Sequence, residues 1–144
     1  MRSLFDVNVL IALLDVDHHF HHRAHDWWGR EFPHGWASCP LTENGFLRIL
    51  TNPNYSKTRD FTVKELTSLL ARFIAAGNHE FWPDALTLRD GSVFTTDRIH
   101  SGRQLTDVYL LGLATAHQAR LVTFGEGVSS TAVKKSHARN LAVL

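Results

Sequence analysis

Three acidic side chains stand where a helix-like run begins beside a strand in this 144-residue sequence, and a fourth sits in a similar loop. Asp6 closes the apolar pair Leu4-Phe5 and precedes Val9, Leu10, Leu13 and Leu14, which recur at helical spacing. Glu43 falls in the first turn of a helix predicted over 41–50, behind the strand-like Trp36-Ala37-Ser38-Cys39 and Pro40. Asp107 opens the apolar helix predicted over 105–117, with Thr106 as its N-cap. Glu126 lies in the loop Gly125-Glu126-Gly127, after the strand-like 120–124. Any one of these acids could serve its helix alone, by accepting hydrogen bonds from free N–H groups or by meeting the helix dipole. Parallel α/β topology, however, gathers such loops at one sheet edge, where ligands bind. Several carboxylates converging there repel one another unless cations neutralise them. Hard oxygen donors favour Mg²⁺ or Mn²⁺, ions that keep waters and bind substrate phosphates. The sequence has no Walker loop for nucleotide phosphates. The chemistry this pattern points to is metal-assisted hydrolysis of a phosphodiester.

The elements that must position these acids alternate as β-α-α-β-α-α-β-α-β-β, with strands near 4–5, 36–39, 79–82, 120–124 and 141–144. That succession implies an α/β fold with a parallel sheet. A helix is also expected over 63–76, and a short helix with loops over 84–104. The length and the lack of a low-complexity linker predict a single domain over 1–144. The net charge is +1, so no global electrostatic pull toward nucleic acid exists and local clusters must supply any such binding. Cys39 is the only cysteine, which excludes an intrachain disulfide and suits a reducing compartment. Asp6, Asn8 and Asp15 interrupt the N-terminal apolar stretch, so it is no signal peptide, and no run approaches the roughly 20 apolar residues of a membrane helix. A cytoplasmic protein without a membrane partner is expected.

Two further clusters carry potential chemistry. His18, His21, His22 and His25 fall at i, i+3, i+4 and i+7, one face of a helix, opposite a buried stripe of Phe20, Ala24, Trp27 and Trp28. No carboxylate or thiol completes a ligand spacing, which makes that face solvated or a partner contact. Tyr55, Lys57 and Arg59, preceded by Arg48, occupy the turn-rich stretch 51–60. They are either a solvated loop or a site for phosphate contacts and stacking with a single-stranded nucleic acid.

Four blocks, Phe5-Asp6-Val7-Asn8-Val9-Leu10, Pro40-Leu41-Thr42-Glu43-Asn44-Gly45, Thr106-Asp107-Val108-Tyr109-Leu110-Leu111-Gly112-Leu113-Ala114 and Leu121-Val122-Thr123-Phe124, resemble the motif blocks of PIN domains. They occur in family order, span almost the whole chain, and are most similar to the VapC-like ribonuclease toxins of toxin–antitoxin pairs. The resemblance implies a three-layer α/β/α fold and an endoribonuclease that uses Mg²⁺ or Mn²⁺ to activate a water against an RNA phosphodiester. It implies that Asp6, Glu43 and Asp107 are catalytic and metal-binding, and that Asn8 and Thr123 support the site. It also implies RNA as substrate, a cognate VapB-like antitoxin as partner, and a homodimer. One position departs: the family commonly has Asp after the Thr-Phe pair, where this chain has Gly125. Glu126, one residue on and one methylene longer, is the candidate replacement. The departure motivates an alternative, a non-catalytic PIN-like module that binds RNA or protein. A receiver domain or a HAD-like phosphatase also places Asp at a strand end. Asn8, however, stands where the phosphatase needs a second acid, and the receiver's early acidic pair and mid-chain phosphoacceptor are missing.

Overall fold

The inner strands are short runs rich in apolar or small residues because both faces of a parallel sheet are covered, whereas the edge strand at 79–81 carries His79 and Glu80. In the computed structural model, which describes residues 1–144, the strands are β1 (Ser3–Phe5), β2 (Trp36–Ser38), β3 (His79–Phe81), β4 (Arg120–Thr123) and β5 (Leu141–Val143). All pair in parallel, in the order β3-β2-β1-β4-β5. Central strands β1 and β2 are buried at every residue, while the edge strands β3 and β5 are partly open. The helices are α1 (Val7–Leu14), α2 (His21–Glu31), α3 (Pro40–Thr51), α4 (Val63–Ala75) and α5 (Leu105–Ala116). Side chains alternate across the sheet. Phe5, Trp36 and Val122 enter a core made with α1 to α4, while Leu4, Ala37 and Leu121 enter a second core made with α5, Phe94 and Val133. The result is three layers, α/β/α. No helix is long and apolar enough to cross a membrane.

The connection order reverses between β1 and β4, which opens a crevice beyond their carboxyl ends. Asp6 follows β1 and Thr123 ends β4, so both stand at this switch point. Gly45 lets α3 press close to α1. A Cβ there would lie 2.7 Å from Val7 Cγ2, and a β-branched side chain has few rotamers with which to yield. Glu43 and Asp6 are thereby carried on helix ends in direct contact. Cys39 caps α3, and burial pushes its thiol up to about 11.

Several local expectations differ from what is found. The stretch 84–104, expected as a short helix with loops, forms turns and two short 3₁₀ helices, Thr96–Arg98 and Gly102–Gln104. The second 3₁₀ turn runs straight into α5, which makes Gln104 the N-cap and places Thr106 inside the helix; Asp107 keeps its first-turn position. His18 precedes α2 instead of sharing a face with it, and Phe20 is exposed. His21 Nδ1 donates to the Ala12 carbonyl at 2.7 Å and His25 Nε2 donates to that of Leu13 at 2.8 Å. These are end carbonyls of α1 that no backbone N–H reaches, so half of the histidine row caps a helix. The apolar residues Val9 to Leu13 of α1 are buried within the chain itself.

Tyr55 and Arg59 are also occupied. Tyr55 Oη donates to Asp15 Oδ2, and Arg59 holds both Asp15 oxygens at 2.9 and 3.2 Å, tying the loop 52–62 to the end of α1. Burial opposes ionisation of Asp15, but the bonds from Arg59 and Tyr55 outweigh it and hold the carboxyl at about 2. With a folded value below the unfolded 3.8, this group stabilises the fold fully above about pH 4, and the contribution is lost as pH falls toward 2. Asp15→Asn should cost about 2 kcal/mol at neutral pH. In thermal melts from pH 7 to 2, the variant's midpoint should fall less steeply below pH 4 than the wild type's; parallel curves would refute this role.

Candidate active site

Asp6 is fixed through both carboxylate oxygens. Its Oδ1 accepts from the Val7 N–H at 2.6 Å, and its Oδ2 accepts from Thr123 Oγ1 at 2.9 Å. The acid is therefore helix cap and site residue at once, and its extended backbone (φ −60°, ψ 155°) suits the first role. Thr123 Oγ1 in turn accepts from the Gly125 N–H at 3.0 Å. The hydroxyl thus spends its single proton on Asp6, which orients that carboxylate. Asp6 is 7 % exposed, and burial raises its pKa against the two hydrogen bonds. Asp107, half-buried in the first turn of α5, is raised to about 6 by burial and then by the negative charge of Asp6. No ion pair involves Asp6, Glu43 or Asp107. Two carboxylates thus face each other without a protein cation, a donor set that suits a hard divalent ion.

The other expected residues stand around this pair. Glu43 Oε2 accepts from Ser38 Oγ at 2.7 Å, and Ser38 Oγ lies 2.8 Å from His79 Nε2. Because Ser38 gives its proton to Glu43, His79 must donate through Nε2, which fixes its tautomer. Burial and the nearby Arg2 charge lower the His79 pKa, keeping the ring neutral. Asn8 is exposed in the first turn of α1. Glu126 is exposed in the turn after β4 and makes no side-chain hydrogen bond or ion pair. Gly125 is better aimed: a Cβ there would lie 3.4 Å from both Asp107 Oδ2 and Thr123 Oγ1, with no positive φ to forbid a side chain. No group of three or more His, Cys, Asp or Glu side chains is already arranged to hold a metal ion.

Sequence reasoning missed Ser38 and His79. A hydroxyl at the end of a strand, just before an acid-bearing helix, was the available sign for Ser38; His79 lies 41 residues away and gave none. It also missed an aromatic wall that begins at Phe124, the residue after Thr123. Phe124 packs on exposed Phe20 with centroids 4.8 Å apart and stacks with His18 at 6.4 Å.

A family model of the PIN domain matches residues 3–134. Ribonuclease VapC44 of Mycobacterium tuberculosis is 44% identical over 144 residues, covering 100% of both chains. Ribonuclease VapC39 of the same organism is 38% identical over 133 residues, covering 92% of this chain and 94% of that one. Among solved structures, VapBC2 from Rickettsia felis, bound to a DNA fragment from its promoter, superposes with a TM-score of 0.50 at 13% identity. That match covers 88% of this chain and 90% of that one.

The unneutralised pair has a measurable cost. A carboxyl whose folded value is about 6 and unfolded value 3.8 binds more protons when folded. Stability therefore falls as pH rises from about 4 to 6, and the penalty is complete above that window. Asp107→Asn should raise the metal-free melting temperature at pH 7 and flatten its dependence between pH 4 and 6. Gly125→Asp should do the opposite without metal, and should gain more stabilisation from added Mn²⁺ than the wild type. Melting curves with EDTA and with Mn²⁺ decide both; a Gly125→Asp variant indifferent to Mn²⁺ would contradict the geometry.

Proposed function

The chain belongs to the PIN domain family, and from that premise we propose that it is an Mg²⁺- or Mn²⁺-dependent endoribonuclease, the toxin of a toxin–antitoxin pair. The observation that carries this reading is the pair at the sheet's switch point: Asp6, buried and held by Thr123, beside half-buried Asp107, whose carboxyl the Asp6 charge pushes up. Relatives bearing the name Ribonuclease VapC, matched over 100% and 92% of the chain, support it.

In this reading Asp6, Asp107 and Glu43 would hold the ion. A bound divalent cation supplies Lewis-acid polarisation of the phosphoryl oxygen and a water of lowered pKa. The chain's own contribution is positional. Val7 N–H and Thr123 Oγ1 keep Asp6 from rotating; Ser38 and neutral His79 do the same for Glu43. Phosphodiester hydrolysis needs charge neutralised where it develops, and rigid ligands avoid reorganisation at that moment. Glu126 is a peripheral contributor, since it stands exposed and unbonded while Gly125 occupies the position facing Asp107. A second reading, a non-catalytic RNA- or protein-binding module, is favoured by one observation: three ligands are not preassembled for a metal.

The same reading extends to partners. A VapB-like antitoxin would neutralise the enzyme by covering the acid-lined edge, where a basic side chain could pair with Asp6 and Asp107. Exposed Phe32, Phe81 and Val143 give a homodimer apolar area to bury. Light scattering at micromolar concentration should give twice the 16.3 kDa chain mass, and the purified antitoxin complex should not cleave RNA. A strict monomer would remove the dimer, and an active complex would remove that mode of neutralisation.

Purified protein should cleave RNA with Mg²⁺ or Mn²⁺ and stop with EDTA. Asp6→Asn, Glu43→Gln and Asp107→Asn should each lower the rate by a factor on the order of 10² or more and relieve growth arrest on induction. Glu126→Gln should be milder, and His18→Ala should stay within a few-fold of wild type. Full activity in Asp6→Asn or Asp107→Asn would end the metal-nuclease reading and leave the binding module.

A further inference from the structure

The carboxylate edge is poorly suited to hold a polyanion by itself. No cationic side chain pairs with Asp6, Glu43 or Asp107, and both aspartates raise the local negative potential. A nucleic-acid substrate gains most of its affinity from phosphate contacts with Lys and Arg. Those contacts must be made elsewhere.

One cavity is built for them. A recess of about 770 Å³ opens beside the C-terminal half of α5 and is closed on its other side by the segment 133–140. Lys134, Lys135, His137 and Arg139 line it, and no acidic residue does. Only Lys134 is engaged, donating from Nζ to the Gly91 carbonyl at 2.6 Å; Lys135 and Arg139 enter no ion pair. Asp90 lies close enough to feel the Lys134 charge, whereas Lys135 and Arg139 have no acidic partner.

The backbone singles out the same place. Only two non-glycine residues in the chain have positive φ, Gln118 at 55° and Lys135 at 68°, and both line this cavity. Gln118 follows the end of α5, where the Gln118 N–H reaches Thr115 and the Ala119 N–H reaches Ala114. Glycine is the low-cost residue for that left-handed position. Side chains that keep such strain gather at binding and catalytic sites.

We propose that this cavity is a second phosphate-binding site, which takes the sugar–phosphate backbone of single-stranded RNA away from the bond being cleaved. The proposal rests on the ribonuclease reading above and adds a separate anchoring site to it. An acidic peptide fits less well, because protein partners anchor through buried aromatic and apolar side chains, and only four of the thirteen lining residues are apolar. Lining residues Gly112 to Ala116 lie about one and a half to two and a half turns of α5 beyond Asp107. Met1, Gln118 and Asn140 precede β1, β4 and β5, so the cavity opens at the sheet edge opposite Asp6, and one RNA strand laid along α5 would engage both regions.

The test is RNA binding in EDTA, where no cleavage occurs, followed by fluorescence anisotropy of a labelled oligouridine over a salt series. The double variant Lys135→Asn/Arg139→Gln removes two cations while placing a residue tolerant of positive φ at 135. Each phosphate contact to a single strand contributes about 0.7 to the slope of log K against log salt, so the slope should become shallower by about 1.4, which is about 25-fold in affinity between 1 M and 0.1 M salt. With Mn²⁺ restored, KM for the long RNA should rise while kcat stays near wild type. Arg139→Lys, which keeps the charge, should retain the wild-type slope. Poly-glutamate should displace the RNA no better than salt of equal ionic strength. An unchanged slope in the double variant, a loss in Arg139→Lys as large as in Arg139→Gln, or ready displacement by poly-glutamate would overturn the second site and leave the nuclease intact. Wild-type protein that neither binds nor cleaves RNA would overturn both.

Discussion

Pairing of β1 with β4 joins the two ends of the chain, and everything at the carboxyl edge depends on it. Ser3, Leu4 and Phe5 lie against Arg120, Leu121 and Val122. One residue further on, that register sets Thr123 Oγ1 against Asp6 Oδ2 across 117 positions of sequence. The same pairing creates the reversal of strand order that opens a crevice at the switch point. Because side chains alternate along a strand, a slip of one residue would turn Leu121 and Val122 into each other's cores and point Thr123 away from Asp6. Two cores, each of fourteen buried residues, oppose that slip. The site's geometry is therefore insured by hydrophobic burial on both faces of the sheet.

Electrostatics at this edge works against the fold. Burial opposes ionisation of Asp6 and two hydrogen bonds partly offset it, while Asp107 has no such bond to offset its own burial. The two acids are consequently unequal: one rigid, the other responsive to whatever charge enters the crevice. Elsewhere the chain compensates its buried acid fully, as Arg59 and Tyr55 do for Asp15. The contrast separates a structural carboxylate from one left deliberately short of partners.

The parallel sheet, the order of elements, Asp6 at the end of β1 and Asp107 in the first turn of α5 were legible in the sequence, because apolar period and acid position are local properties. Tertiary pairings were not. His21 and His25 read as part of a solvated row, yet they cap α1, because free carbonyls at a helix end leave no trace in the pattern of side chains. Tyr55 and Arg59 looked available to nucleic acid until Asp15, some 40 residues earlier, claimed them. The α5 boundary moved because a 3₁₀ turn continued into the helix, which propensity alone does not announce. His79 and the cations around the second cavity were invisible for the same reason: each belongs to a different element from the group it serves.

The chain's single thiol, buried as the cap of α3 and pushed up to about 11, has almost no thiolate at neutral pH. Burial and the raised pKa both work against its reaction with alkylating dyes and spin labels in the folded state. The molecule is thus a ready background for single-site labelling without first removing its native cysteine. A cysteine placed at exposed Val16, which is 71 % accessible, would be the sole reactive group. That position stands in the loop between α1 and α2, so a probe there would report directly on what approaches the aromatic wall beside Thr123.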